Sequence, residues 1–249
     1  MKQSWDPKSY SRAAAFVSDY GADLLSMLDV AEGRSILDLG CGEGALAEKL
    51  LSLGWTVTGI DSSEEQVRAA LTRGVSAKVM DGENLKFDEN FDCVFSNAAL
   101  HWMKKPEKVL DGVWNALKVG GTFIGEMGAH GNVESVLQAA KNILVEKGFD
   151  PEEFNPWYFP TVNEYSELLT ARGFMIETIH SFRRPTELPG DILDWLKIFV
   201  QSFTSPLKND DKKAFYCEMR ERLKKQLLSD EGKWVVDYVR LRFKVSRLA

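Results

Sequence analysis

The stretch Ile36–Leu46, ILDLGCGEGAL, decides how this chain is to be read. Ile36, Leu37 and Leu39 make a short buried-strand pattern, glycines follow, and Ala45 and Leu46 open a run with helical spacing. Glycines in a strand-to-helix turn let the backbone come close to a ligand, and the amides at the start of the helix are unpaired donors. The spacing Gly40-x-Gly42-x-x-Ala45 fits a dinucleotide as well as another adenosyl ligand. So does Asp61, at the end of the next strand pattern, where a carboxylate can accept both ribose hydroxyls.

The acids around the loop separate the two. A carboxylate beside a pyrophosphate is repelled, so the strand before a dinucleotide loop is apolar. Here Asp38 precedes the glycines and Glu43 sits among them, which favours a cationic ligand such as the sulfonium and ammonium of S-adenosylmethionine. Asp81 with Gly82, after the third strand pattern, offers a carboxylate to an adenine amino group. Asn97, ending the fourth, can face the amino-acid end. Cys41, Gly44 and Ser62 complete the candidate cofactor set.

Outward from the loop, strand and helix patterns alternate. WTVTGI, SAKVM, FDCVFSN and GGTFIGEM read as strands after SILDL. Ser62 with Glu65 reads as a capping box and Gly74 as a stop. Pro106 suits a first helical position before the stripe Val109, Leu110, Val113, Trp114, Leu117. Such alternation means crossover units and a mostly parallel sheet with ligands at the strands' carboxyl ends. Residues 1–30 read as a helical cover in which Gly21 is tolerated or bends the helix. After Gly131 helices dominate. Thr161 and Glu164 cap one of them, Gly173 stops it, and FMIETIHSF follows as a strand. Residues 185–232 are expected to be a helical lid over the ligand edge, within a single domain spanning 1–249. The last strand puts Val239, Leu241, Phe243 and Val245 on one face and Arg240, Arg242 and Lys244 on the other.

The bulk numbers agree with an ordinary globular protein. Of 249 residues 44% are hydrophobic and 27% charged, and the net charge of -6 speaks against a nucleic-acid partner. The start, MKQSWDPKSY, lacks a signal-peptide core and no run suits a bilayer, so no membrane role is expected. Cys41, Cys93 and Cys217 are scattered, without zinc spacing, so no metal is expected and a reducing cytoplasm is the expected location. Nothing in the sequence speaks to oligomeric state.

Together, LDLGCGEG, GIDSS, MDGENL, FDCVFSNAALHWM and LKVGGTF, between residues 36 and 124, resemble the class I S-adenosylmethionine-dependent methyltransferases. Val119 departs from the proline usual in that turn. The resemblance implies a Rossmann-like, mostly parallel seven-stranded α/β sheet with helices on both faces and an antiparallel last strand. It also implies S-adenosyl-L-methionine as cofactor and S-adenosyl-L-homocysteine as product. WDPKSY, SNAALHW and the helical region before a basic final strand are similar to the trans-aconitate methyltransferase-like group, which implies that Trp5 and Tyr10 lie near the cofactor.

The expected reaction is in-line methyl transfer to a small-molecule acceptor, with an oxygen, carboxylate or hydroxyl, favoured. A carboxylate needs no base, only an arginine or lysine clamp. A hydroxyl or amine must lose a proton, and His101, Tyr10 and Glu126 are then the candidates. His101, read as an unperturbed imidazole, is equally well a residue packed beside Trp102. Glu126 could instead cap a loop. His130 and His180 read as structural. Trp102, Trp157, Tyr158 and Phe159 could wall a substrate pocket, though aromatics before a helix more often pack a core. Arg183, Arg184, Arg240 and Arg242 could clamp carboxylates, though strand arginines are more often a solvated face. The competing classes are a non-catalytic S-adenosylmethionine-binding protein on the same fold, a nicotinamide dehydrogenase, and an RNA or protein methyltransferase. The acidic balance and SNAALH, in place of an Asn/Asp-Pro-Pro-Tyr-like motif, count against the last of these.

Overall fold

In the computed structural model the described residues are 21, 23–29 and 33–248. Trp5 and Tyr10 lie outside them. Seven strands form one sheet: β1 (Ser35–Leu39), β2 (Thr56–Asp61), β3 (Ala77–Val79), β4 (Phe91–Asn97), β5 (Leu117–Gly128), β6 (Phe174–Glu187) and β7 (Val235–Arg247). Their order is β3-β2-β1-β4-β5-β7-β6. β1 pairs in parallel with β2 and β4, β2 with β3, and β4 with β5, while β7 runs antiparallel to β5. The doubly wound sheet expected from the sequence is present.

The two faces follow from strand alternation. Ile36, Val57, Cys93, Phe95 and Ile124 share a face and pack with Leu46 and Leu50 of α1 (Ala45–Ser52) and with Leu24. Phe123 points the other way, meeting Phe174 and Phe243 edge-on or tilted. Tyr165 of α5 (Val162–Arg172) lies 5.2 Å from Phe243 on that side. The remaining helices are α2 (Glu64–Thr72), α3 (Pro106–Ala116), α4 (Glu134–Glu146), α6 (Ile192–Phe199) and α7 (Asn209–Leu227).

The local capping signals hold with one shift of a residue, and Leu117, expected on the helix that Pro106 opens, instead begins β5. Thr161 and Glu164 form the expected capping box, Gly173 takes the left-handed cap, and Pro106 is at the first turn of α3. The cap of α2, however, is Ser63, which accepts from the Gln66 amide, not Ser62. Ser63 wins because Asp61 also accepts its backbone N–H, fixing it in an extended conformation.

The chain divides into two compact units. Among the described residues, one contains Gly131–Pro156 and Arg183–Val239; the other contains those up to His130, Trp157–Phe182 and those from Arg240. In the first, α4 and α6 pack on α7, with Arg222 paired to Glu146 and Arg220 to Asp191. Within 185–232 the structure has the end of β6, then α6, a turn at Gln201–Thr204 and α7. The second unit holds the carboxyl ends of β1, β2, β4 and β5.

Candidate functional site

The first loop is folded back on β2. Gly40 and Cys41 both donate their amides to the Ile60 carbonyl at 2.9 Å, and the Gly42 amide donates to Asp61 Oδ2 at 3.1 Å. Asp61 Oδ1 takes the Ser63 amide at 2.9 Å. Of the roughly four acceptor sites of the carboxylate, one remains beside the Gly42, Ser63 and Ser62 amides, enough to accept a hydroxyl. Burial raises the Asp61 pKa, and the Ser63, Gly42 and Ser62 amides oppose that rise. The Met80 amide bonds the Asp61 carbonyl, so Asp81 follows directly beside the β2 end, where its Oδ1 caps the turn Gly82–Asn84.

Gly40 is required for a steric reason. Its φ is +79°, and a Cβ there would stand 2.2 Å from the Ala99 Cβ. The loops after β1 and β4 thus touch through a missing side chain. Next to this contact Ala98 itself holds a left-handed φ of 55°, with its amide on the Glu126 carbonyl at 2.8 Å. Strain at a strand end, held by a neighbouring strand, commonly marks a site. Gly21 works by close approach as well: a Cβ there would meet Leu46 Cδ1 at 2.6 Å and Asn97 Nδ2 at 3.1 Å.

Asp38 is the exceptional group of this end. It is 3% exposed, and its Oδ2 has no hydrogen-bond partner among the described residues. Burial, with Asp61 nearby, pushes its carboxyl up to about 7. A buried carboxylate without a partner is costly, and a bound cation relieves it. That orphaned oxygen, the glycine turn and the remaining Asp61 acceptor site fit S-adenosylmethionine. Glu43 is different from what the sequence suggested. Arg73 of the α2 end stands 3.5 Å from it, so its charge is already engaged by the protein. Cys41 is buried and burial pushes its thiol far up, which makes it an inert packing residue.

The same sheet face continues to β5 and β7. Glu126 pairs in register with Asn97 on one side and Arg242 on the other. It is fully buried, and two guanidinium groups converge on it: Arg240 Nε at 3.2 Å from Oε1, Arg242 Nε and Nη2 at 2.8 and 2.7 Å from Oε2. Arg242 also lies over the Phe182 ring at 5.2 Å. The solvated face favoured for these arginines is therefore wrong, since Arg240 is 6% exposed. β7 is interior to the sheet, between β5 and β6, so both of its edges are paired. The Glu126 carboxylate holds the two arginines. Arg183, by contrast, is exposed and Arg184 half-buried on β6.

His101, on the turn Leu100–Trp102 after β4, sits between these groups. Its Nδ1 accepts the Gly128 amide at 3.2 Å, and its carbonyl takes the Tyr158 amide at 2.9 Å. Burial, then Arg240, lowers its pKa well below the ordinary value, so the unperturbed imidazole expected from the sequence is not what folds. Its ring packs at 5.5 Å from Trp102 and 5.7 Å from Phe159, and Trp157 joins both rings. Burial also raises the Tyr158 phenol to about 12. His130 and His180 are exposed. Arg73, Ala98 and Ala99 are site neighbours that the sequence did not reveal.

A seven-stranded, mostly parallel sheet with an acid-glycine loop after β1 and a carboxylate ending β2 is the architecture of a nucleoside-cofactor-binding fold. The comparisons make it specific. A family model described as "Methyltransferase domain" matches residues 37–125. An uncharacterized methyltransferase of Schizosaccharomyces pombe is 37% identical over 96% of each chain. A trans-aconitate 2-methyltransferase of Mycolicibacterium gilvum is 35% identical over 86% of this chain and 88% of its own. Among solved structures, a phosphoethanolamine N-methyltransferase of Haemonchus contortus in complex with S-adenosyl-L-methionine aligns with a TM-score of 0.61 at 17% identity. That alignment covers 98% of this chain and 57% of the other. The chain belongs to the S-adenosylmethionine-dependent methyltransferases. No helix among the described residues is long and apolar enough to cross a membrane.

Proposed function

We propose that the protein methylates an oxygen of a small acidic molecule, a carboxylate in the first instance. The observation that carries this is the pair Arg240 and Arg242, locked on Glu126 on the face that also carries Asp38 and Asn97. Guanidinium forks recognise carboxylates in two-point contacts, and arginines already aligned by Glu126 bind without a large ordering cost. Arg242 spends Nε and Nη2 on Glu126, which leaves Nη1 uncommitted to that carboxylate. The relatives named trans-aconitate 2-methyltransferase agree with a polycarboxylate acceptor.

S-adenosylmethionine supplies the activated methyl. Asp38 and Asp61 bind and orient it in this reading, with Asp81 and Asn97 at its adenine and amino-acid ends, and the protein's further work is positioning and exclusion of water. Trp102 and Trp157 wall the acceptor. Three free cysteines suit a reducing, cytoplasmic location.

The test is product analysis with the full chain, labelled S-adenosylmethionine and trans-aconitate or related polycarboxylates. The expected product is an alkali-labile methyl ester formed with stoichiometric S-adenosylhomocysteine. Alkali-stable label, or no turnover on any carboxylate, would overturn the reading.

A further inference from the structure

We propose that His101 serves methyl transfer as a neutral hydrogen-bond donor, through its Nε2–H, to the acceptor's oxygen, and not as a proton acceptor. The inference rests on the oxygen-acceptor reading above and goes beyond it by assigning the histidine's chemistry.

The geometry of Nδ1 decides the tautomer. This nitrogen receives the Gly128 N–H at 3.2 Å, so it carries a lone pair and no proton. A neutral imidazole has one N–H, which must then be on Nε2. The backbone donor is fixed, because Gly128 ends β5 in register with Arg240 of β7. The ring is fixed too, between Trp102 and Phe159, with the main chain of its own residue bonded to Tyr158.

Protonation would set two N–H groups against each other at Gly128. It would also add a cation beside Arg240, which Glu126 holds in place. Tyr158, whose amide bonds the His101 carbonyl, has a phenol that is neutral across the working range. The Gly128 amide and Arg240 thus favour the neutral ring, and the Glu126 charge that would oppose them is taken up by the two arginines.

A donor is what an ionised acceptor needs. An oxygen lone pair of the carboxylate forms the bond to the methyl carbon, the carbon–sulfur pair returns to sulfur, and no proton moves. An N–H on one carboxylate oxygen would align the other with the methyl group.

The chain has three histidines, so the tautomer can be read directly. Long-range proton–nitrogen spectra of the labelled full chain, assigned with His130→Gln and His180→Gln, should show His101 as the neutral Nε2–H form from about pH 5.5 to 8. Titration in that range, or a proton on Nδ1, would overturn the proposal. With trans-aconitate as the probe acceptor, His101→Gln, which keeps an N–H near the Nε2 position, should stay within about threefold of the parent in kcat/KM. His101→Ala should lose about tenfold or more, mainly in KM. Equal loss in both variants, with S-adenosylmethionine affinity retained, would also overturn it. If the parent does not methylate trans-aconitate, the acceptor reading fails on its own, and the spectra still decide the tautomer.

Discussion

Asp38 and Glu126 lie on one face of the sheet, two strands apart, and they are opposites. Asp38, near the end of β1, is buried with its Oδ2 unpartnered among the described residues, whereas Glu126, near the end of β5, is buried with two arginines of its own chain. The first is an unfilled charge that gains from a cationic ligand. The second is a filled one that serves as a bracket. One end of the face is therefore built to bind, and the other to hold binding groups in place.

The comparison can be broken hardest at the bracket. Glu126→Ala leaves two buried guanidinium groups unpaired and should cost about 3–5 kcal/mol of stability, read as a large fall in Tm. Glu126→Gln should cost less. If Glu126→Ala melts like the parent, the two acids do not differ as described. Next comes Gly40→Ala, which puts a Cβ 2.2 Å from that of Ala99 at a φ of +79°. Calorimetry should show S-adenosylmethionine affinity reduced at least tenfold, about 1.4 kcal/mol or more. Asp61→Ala should weaken the same binding by about 1–3 kcal/mol; unchanged affinity would remove Asp61 from the ribose.

The two ends also respond oppositely to pH. Asp38 has a folded pKa of about 7, above its unfolded value, so the folded state holds its proton more tightly. Its contribution is fully present below the unfolded pKa and is lost as pH rises towards 7. His101 has a lowered folded pKa, so its contribution is present above the unfolded value near 6.5 and lost as pH falls. Asp38→Asn should thus stabilise the ligand-free protein at pH 8 by up to about 2 kcal/mol. It should also flatten the pH dependence of cofactor affinity, which in the parent rises through neutrality as Asp38 ionises. A parent affinity independent of pH from 6 to 8 would contradict this. The smallest effect belongs to Arg73→Ala. Its pairs with Glu43 and Glu48 are partly exposed and worth about 0–1 kcal/mol, so cofactor affinity should stay within about twofold.

The same contrast explains what the sequence made legible. The cofactor end is local: Asp38, Gly40, Gly42 and Asp61 fall in two adjacent strand–turn units, and turn chemistry shows in the letters. The caps at Thr161 and Gly173 were legible for the same reason. The acceptor end is assembled from residues more than a hundred positions apart. Glu126 meets Arg240 and Arg242 only because β7 inserts beside β5, and an alternating strand does not announce whether its polar face is solvent or core. His101 looked titratable because its partner, the Gly128 amide, is a backbone group with no signature in sequence.

Burial of the Glu126 cluster has a consequence for ionic strength. Dissolved ions screen charges they can approach, over about 8 Å at physiological salt. The side chains here are 0%, 8% and 15% exposed, so mobile ions cannot insert among them. The arginine bracket should keep its alignment from dilute buffer to molar salt, while the pairs of Arg73 loosen.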